Sequence, residues 1–333
     1  MRSTRLFLVA AFIAITATGC GNEGEPSVNE LLQRLPSQGR FGKDLMATDL
    51  VGAREQLRLP ADADPFANPG IVTTVDGRLT NGSESREFRE FRLGNLTIQM
   101  LPIYLGRALG AFDGREITAA AATRVGTRKE VMILATRQDF DDVAAALKER
   151  GFQEEGDLLL AGNEPRPEPS FSAVADTGDG AIVLAGSAEA AEEVLTGGES
   201  SEAATVLESV RGVARSASTR IQSDCLIGIA AGQDLEPPEG QIALRIRGEP
   251  SADALGIPFR PGSAQAAKNP LAQMVAARFG EPVSTADGFV VNVRYRRVGE
   301  PLGVFSVGPV VIPHLATPSP RTATDAEAIY RCP

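Results

Sequence analysis

Residues 130–198 read EVMILATRQDFDDVAAALKERGFQEEGDLLLAGNEPRPEPSFSAVADTGDGAIVLAGSAEAAEEVLTGG, and this stretch decides the fold. Its continuous apolar run at 131–135 predicts a buried strand. Asp139 then fits the N-cap of a helix with apolar residues at helical spacing, and Gly151 fits the end of that helix. The later strands and the second helix are predicted at 158–160, 171–175, 181–184 and 188–195. The order is therefore β-α-β-β-β-α.

This order resembles a split βαβ, ferredoxin-like layer, in which helices pack on one face of a sheet. We therefore expect the α+β class, with mixed or antiparallel sheets and helices on one face. Outside this stretch, helices are predicted at 28–35, 44–59, 201–211 and 270–279, and strands at 225–230, 241–247, 289–297 and 303–312. Because strands and a helix recur after residue 216, two ferredoxin-like halves related by duplication remain open.

Composition excludes several classes of function. The chain has 333 residues, 43% of them hydrophobic and 23% charged, which is ordinary for a globular protein. Its net charge of −10 makes nucleic acid a poor partner. The one histidine, His314, follows an apolar run, so no multi-histidine metal centre can form and we read it as structural. We also find no nucleophile elbow, phosphate loop or CxxC motif, and we predict no cofactor.

The N-terminal residues have the composition of a targeting signal. Residues 1–20 read MRSTRLFLVAAFIAITATGC, with a basic start, an apolar run too short to span a bilayer, and small residues before Cys20. This pattern resembles the lipobox of bacterial lipoproteins, in which the cysteine is diacylated and the signal is removed before it. Few lysines and many arginines, alanines and glycines make the chain similar in style to uncharacterised actinobacterial envelope lipoproteins.

The resemblance implies a division of the chain and a location. Residues 1–19 are the signal peptide, and 20–30 hold the lipidated Cys20 and a polar tether. The predicted helices and strands, rather than the resemblance, divide the rest into an N-terminal α+β domain at 31–215 and a C-terminal one at 216–333. The protein is then held at the cell membrane through acyl chains and faces the extracytoplasmic space.

Two cysteines remain once Cys20 is lipidated. Cys225 and Cys332 can form one intramolecular disulfide in an oxidising compartment. It would close a loop of about 107 residues and fasten the C-terminal tail to the second domain. A free thiol or a crosslink to a partner is the alternative.

Arginines line two of the predicted strands. Arg245 and Arg247 alternate with apolar residues at 241–247, and Arg294 and Arg296 do so at 289–297. If the two strands pair, the four arginines share one sheet face that suits an anion such as a lipid headgroup or an acidic partner. The alternative is a solvated face neutralised by local acids.

These features favour a non-catalytic binding or interaction module of the cell envelope, with an unknown envelope protein or lipid as partner. One alternative is a carrier of an apolar or amphiphilic ligand, because residues 88–105 are unusually apolar, although such a stretch also suits a core. The other is an envelope hydrolase that uses two carboxylates, which a chain with 43 acidic residues leaves open.

Overall fold

The structure is a computed structural model. It describes residues 25–36, 44–66, 71–73, 79–81, 87, 91, 101, 105–123, 131–162, 171–197, 202–219, 226–247, 274–279, 283–285 and 288–297. Cys20, Cys225, Cys332 and His314 lie outside these residues, as do the signal peptide and the strands predicted at 303–312.

One large sheet organises the described chain. Thirteen strands form it in the order β13-β15-β12-β11-β10-β1-β4-β5-β9-β8-β7-β6, with β14 also paired to β15, and every neighbouring pair is antiparallel. The strands are β1 Asp44–Asp49, β4 Ile117–Thr123, β5 Val131–Thr136, β6 Phe152–Glu155, β7 Leu158–Ala161, β8 Ala173–Asp176, β9 Ala181–Ala185, β10 Ala214–Ser218, β11 Leu226–Gln233, β12 Glu239–Ile246, β13 Met274–Phe279, β14 Val283–Thr285 and β15 Gly288–Arg297. A separate hairpin pairs β2 Ile71–Thr73 with β3 Leu79–Asn81.

Short helices cover this sheet. They are α1 Val28–Arg34, α2 Leu50–Gln56, a 3₁₀ helix Gly106–Ala111, α3 Phe140–Lys148, α4 Ala188–Leu195 and α5 Glu202–Leu207. The α+β class and the antiparallel sheet are therefore confirmed. Among the described residues, no helix is long and apolar enough to cross a bilayer, and the longest, α3, has nine residues.

The helices lie on both faces of the sheet, whereas the sequence analysis placed them on one. One core unites α1, α4 and α5 with the first face, and a second core unites α2, the 3₁₀ helix and α3 with the other. The reason is visible in β5 and β9, where every residue is buried, so each face needs its own cover.

The decisive segment folds largely as predicted, with one strand added. Asp139 caps α3 by accepting a hydrogen bond from the Asp141 amide, and Gly151 has a φ of 88° beyond its end. Ser187 caps α4 in the same way through the Ala190 amide. The added strand is β6, whose sequence FQEE pairs with β7 at the end of the sheet. The ferredoxin-like interpretation is not confirmed, because β5 and β6, which flank α3, are separated by three strands rather than one, and α3 and α4 pack in different cores.

Two predicted helices are wrong in part. The helix expected at 44–59 is strand β1 followed by α2, because Asp49 ends the strand and caps the helix through the Gly52 amide. The helix expected at 270–279 contains strand β13, which pairs with β15 near the end of the sheet. In both places the strand is fixed by partners distant in the sequence, which local periodicity does not reveal.

The sheet runs through the expected domain boundary at 215/216. That boundary falls inside β10, which pairs with β1 on one side and β11 on the other. At the N-terminus, the folded body begins earlier than residue 31. Ser27 and Glu30 form a capping box at the start of α1, and Val28 of that helix is buried in the core.

Candidate functional site

The two arginine-bearing strands do pair. In the β12–β15 ladder Arg245 lies opposite Val290, and Arg294 and Arg296 lie opposite Gln241 and Glu239. Directly opposite residues share a face of a sheet, so these three arginines lie on one face. Arg247 follows β12 by one residue and is exposed, as are Arg294 and Arg296, while Arg245 is half-buried. We call these four residues the arginine face.

The arginine face consists of two groups. Arg294 stands four positions along β15 from Val290, the residue opposite Arg245, which corresponds to about 13 Å along the strand. On its other side Arg294 is in register with a further arginine that the sequence analysis missed, Arg278 of β13. Glu239, opposite Arg296, is the one acidic residue at the paired β12 and β15 positions of this face. The described part of the face is therefore cationic on a chain of net charge −10.

A second feature lies at one end of the sheet. There β1 and β5 end and β4 and β10 begin, and we call it the near end because α1 starts beside it. A cleft of about 610 Å³ opens there, between the first turn of α1, the first turns of α2 and the sheet. Its charged lining residues are Glu25, Asp49, Glu55, Arg137 and Arg215.

Two arginines fix the start of α1 to the cleft wall. Arg137, just after β5, donates from Nε to Glu25 Oε1 at 2.9 Å. Arg215, the second residue of β10, donates from Nη1 to Asn29 Oδ1 at 2.9 Å. Glu25 and Asn29 flank the α1 N-cap, so the chain enters the folded body at the mouth of the cleft.

The acidic wall of the cleft belongs to α2. Asp49 Oδ1 accepts the Gly52 amide at 2.9 Å and so caps the helix. A side chain at Gly52 would crowd this cap, since its Cβ would lie 2.7 Å from Asp49 Oδ2. Glu55, one turn further along α2, is exposed. The cleft is thus lined by the carboxylates of Asp49 and Glu55 and by the guanidinium groups of Arg137 and Arg215, and its third carboxylate, Glu25, is paired with Arg137.

Arg215 is the least solvated cation of the cleft. Burial lowers the pKa of Arg215, and the carboxylates of Asp49 and Glu208 oppose that shift without ending it. Its hydrogen bond goes to a neutral amide, Asn29, and among the described residues it forms no ion pair within 4.0 Å. A guanidinium group has five N–H donors, so Arg215 can donate further hydrogen bonds to an anion that enters the cleft.

A deeper arginine has a structural role instead. Arg54 of α2 is 4% exposed and donates to three backbone carbonyls, those of Ala63, Gly114 and Ile117, at 3.0–3.1 Å. Its guanidinium carbon lies 5.7 Å from the ring centre of Phe91. Because its donors are used within the fold, Arg54 joins the loops beneath α2 rather than meeting a ligand.

The apolar stretch at 88–105 contributes to the core wherever the structure describes it. Phe91, Leu101 and Leu105 are buried with the helices of the second core. This outcome agrees with the core interpretation of the stretch.

The carboxyl groups with shifted pKa values are stabilised as anions. The Ser27 backbone lowers the pKa of Glu30, and Arg34 lowers that of Asp179. Arg115 and Lys148 have the same effect on the pKa values of Asp113 and Glu154. The general acid of a hydrolase needs a raised pKa, so none of these four carboxyl groups is suited to that role. No cluster of three metal-binding side chains occurs among the described residues.

Sequence reasoning missed the cleft because its residues come from separate segments. Glu25, Asp49, Arg137 and Arg215 meet only when β1, β5 and β10 assemble. The signal available was weak: Asp49, Arg137 and Arg215 stand near the end of a strand or just outside one, and Glu25 stands just before α1.

The comparisons with known proteins are sparse. No family model matches the chain, and no curated protein matches it. Crystal form III of TP0453 aligns with a TM-score of 0.38 and 7% identity over 84% of this chain and 96% of that one. Crystal form I of the same protein gives 0.38 and 8% over 86% and 97%. Likenesses this distant carry no inference, so the chain's function has to be inferred from its own residues.

Proposed function

We propose that this protein is a membrane-anchored extracytoplasmic lipoprotein that acts as a non-catalytic binding module of the cell envelope. Acyl chains on Cys20 hold it at the membrane, and the arginine face binds an anionic partner. The observation that carries the binding role is the β12–β15 register, which gathers three of the arginines on one face.

Charge and geometry support this role. Arg294 and Arg296 are exposed and stand two positions apart on one face of β15, and Arg278 of β13 is in register with Arg294. Guanidinium groups at this spacing suit the paired oxygens of phosphate or carboxylate. The remainder of the chain is acidic, so a localised cationic face gives an anionic partner a preferred orientation.

The two alternatives have less support. The hydrolase needs a carboxyl group held protonated, and the four shifted carboxyl groups are all held as anions. The carrier needs an apolar space beside residues 88–105, and the described members of that stretch pack in the core.

Vesicle sedimentation tests the binding role without the anchor. The Cys20→Ser chain is mixed with phosphatidylcholine vesicles that contain or lack phosphatidylglycerol. We expect binding that needs phosphatidylglycerol, weakens as salt is raised, and falls about tenfold or more in the double variant Arg294→Glu, Arg296→Glu.

A matched control separates this face from net charge. The double variant Arg115→Glu, Arg150→Glu makes the same change of charge at two exposed positions on other parts of the molecule. It should lose much less binding. Equal losses in both double variants, or equal binding to vesicles with and without phosphatidylglycerol, would refute a specific arginine face.

A further inference from the structure

The cleft at the near end lies close to the proposed anchor. Arg137 holds Glu25 on the body, so only residues 21–24 separate the folded chain from Cys20. Five peptide links span at most about 18 Å when fully extended. If Cys20 is acylated, the mouth of the cleft therefore stays within that distance of the bilayer surface.

The cleft has the size and charges for a small zwitterion. Its volume of about 610 Å³ lies in the range of ligand sites. On one side, Arg215 is half-buried and hydrogen-bonded to Asn29, with donors left for an anion. On the other, Asp49 and Glu55 present carboxylates that suit an ammonium group. With three acids and two arginines in its lining, the cleft does not favour a simple anion.

We propose that this cleft binds the phosphoethanolamine headgroup of a membrane lipid, with Arg215 on the phosphate and Asp49 and Glu55 on the ammonium. The choice of a lipid source rests on the proposed acylation of Cys20, which places the cleft at the bilayer. The recognition itself rests on the cleft residues alone, so the two can be tested separately.

Recognition is tested with soluble headgroups. The chain has no tryptophan, so Val51→Trp in the cleft wall gives a unique fluorescence signal. In the Cys20→Ser background, glycerophosphoethanolamine should produce a saturable change. Glycerophosphocholine lacks ammonium N–H donors and glycerol 3-phosphate lacks the ammonium, so both should bind about tenfold more weakly or worse.

Two further variants assign the roles. Arg215→Met keeps the aliphatic stem and removes the phosphate donors, and Asp49→Asn removes a carboxylate while keeping a good helix cap. Each should weaken glycerophosphoethanolamine binding about tenfold with an unchanged circular dichroism spectrum. Arg150→Met, which changes an exposed arginine just after α3, is the control and should bind normally. No saturation, or equal loss in Arg150→Met, would overturn the site, and so would normal binding by Asp49→Asn.

The membrane source is tested on the full acylated chain in vesicles that contain brominated lipid. A tryptophan at Glu236, which is exposed at the near end after β11, should be quenched. One at Glu189, which is exposed beyond the far end of β9, should be quenched much less. Saturable headgroup binding without quenching at position 236 would overturn the lipid source and assign the cleft to a soluble ligand. A chain lacking acyl groups would refute the proposed anchor and leave the titration as the test of the cleft.

Discussion

Replacing Arg54 by methionine should destabilise the fold more than any exposed arginine substitution. Arg54 is 4% exposed, and its guanidinium satisfies the carbonyls of Gly114 and Ile117 in the interior and that of Ala63 nearer the surface. Methionine fills a similar volume but donates no hydrogen bonds. An unsatisfied buried carbonyl costs about 1–3 kcal/mol, so the two interior carbonyls together cost about 2–6 kcal/mol.

Relief of the buried charge offsets part of that cost. Burial lowers the pKa of Arg54, which shows that keeping its charge in the interior costs free energy. We therefore expect a net loss of about 3 kcal/mol in the free energy of unfolding, a large share of the 5–15 kcal/mol typical of a domain. Urea unfolding followed by far-ultraviolet circular dichroism measures it, because the chain has no tryptophan.

Arg115→Met is the matched control. Arg115 is exposed and pairs with Asp113 on the surface, so its loss should leave the unfolding free energy nearly unchanged. A change below about 1 kcal/mol in Arg54→Met would refute the reasoning, because the three carbonyls would then not depend on Arg54.

Three further changes have defined outcomes. Asp179, whose pKa is lowered by the bond from Arg34, adds stability above the ordinary aspartate pKa, and this is lost as pH falls through its folded value. As pH falls from 5 to about 2, the free energy of unfolding should therefore decrease more steeply in the native chain than in Asp179→Asn. The difference should be less than about 1 kcal/mol, because the Arg34–Asp179 pair is partly exposed. Parallel plots of unfolding free energy against pH would contradict a stabilising pair. Gly232→Ala places a Cβ 2.0 Å from a backbone carbonyl oxygen of the loop before β10, so we expect a loss of at least about 1–3 kcal/mol in urea unfolding, and an unchanged midpoint would contradict that contact. A chain secreted into an oxidising compartment should be about two mass units lighter before reduction, through the Cys225–Cys332 bond, while equal masses would favour free thiols.

Local patterns predicted the part of the fold that is locally determined. In 130–198 the apolar run of β5, the cap at Asp139 and the turn glycines specify each element within a few residues, and the structure follows them. The added strand β6 was missed because only one of its four residues is buried, so it has no apolar pattern to detect.

Long-range pairing decides the rest. The sequence of β1, DLMATD, continues into α2 with apolar residues near helical spacing, and only pairing with β10 and β4 makes it a strand. The helices on the second face could not be foreseen either, because a fully apolar strand shows that both faces are covered but not by what.

The two candidate sites also differ in how far local sequence patterns predict them. Alternation along 241–247 and 289–297 gave the arginine face before any pairing was known, and the β12–β15 register confirms the shared face. Arg215 and Asp49 stand 166 positions apart and meet through the β1–β10 pair, so no local signal joined them.

The proposed anchor is tested most directly by the mass of the mature N-terminus. The chain is produced in a bacterium with lipoprotein-processing enzymes, extracted from the membrane, and the N-terminal peptide is analysed by mass spectrometry. The account predicts that residues 1–19 are absent and that Cys20 is the first residue and carries a diacylglyceryl group. A peptide that retains the signal, begins elsewhere or carries an unmodified Cys20 thiol would contradict it.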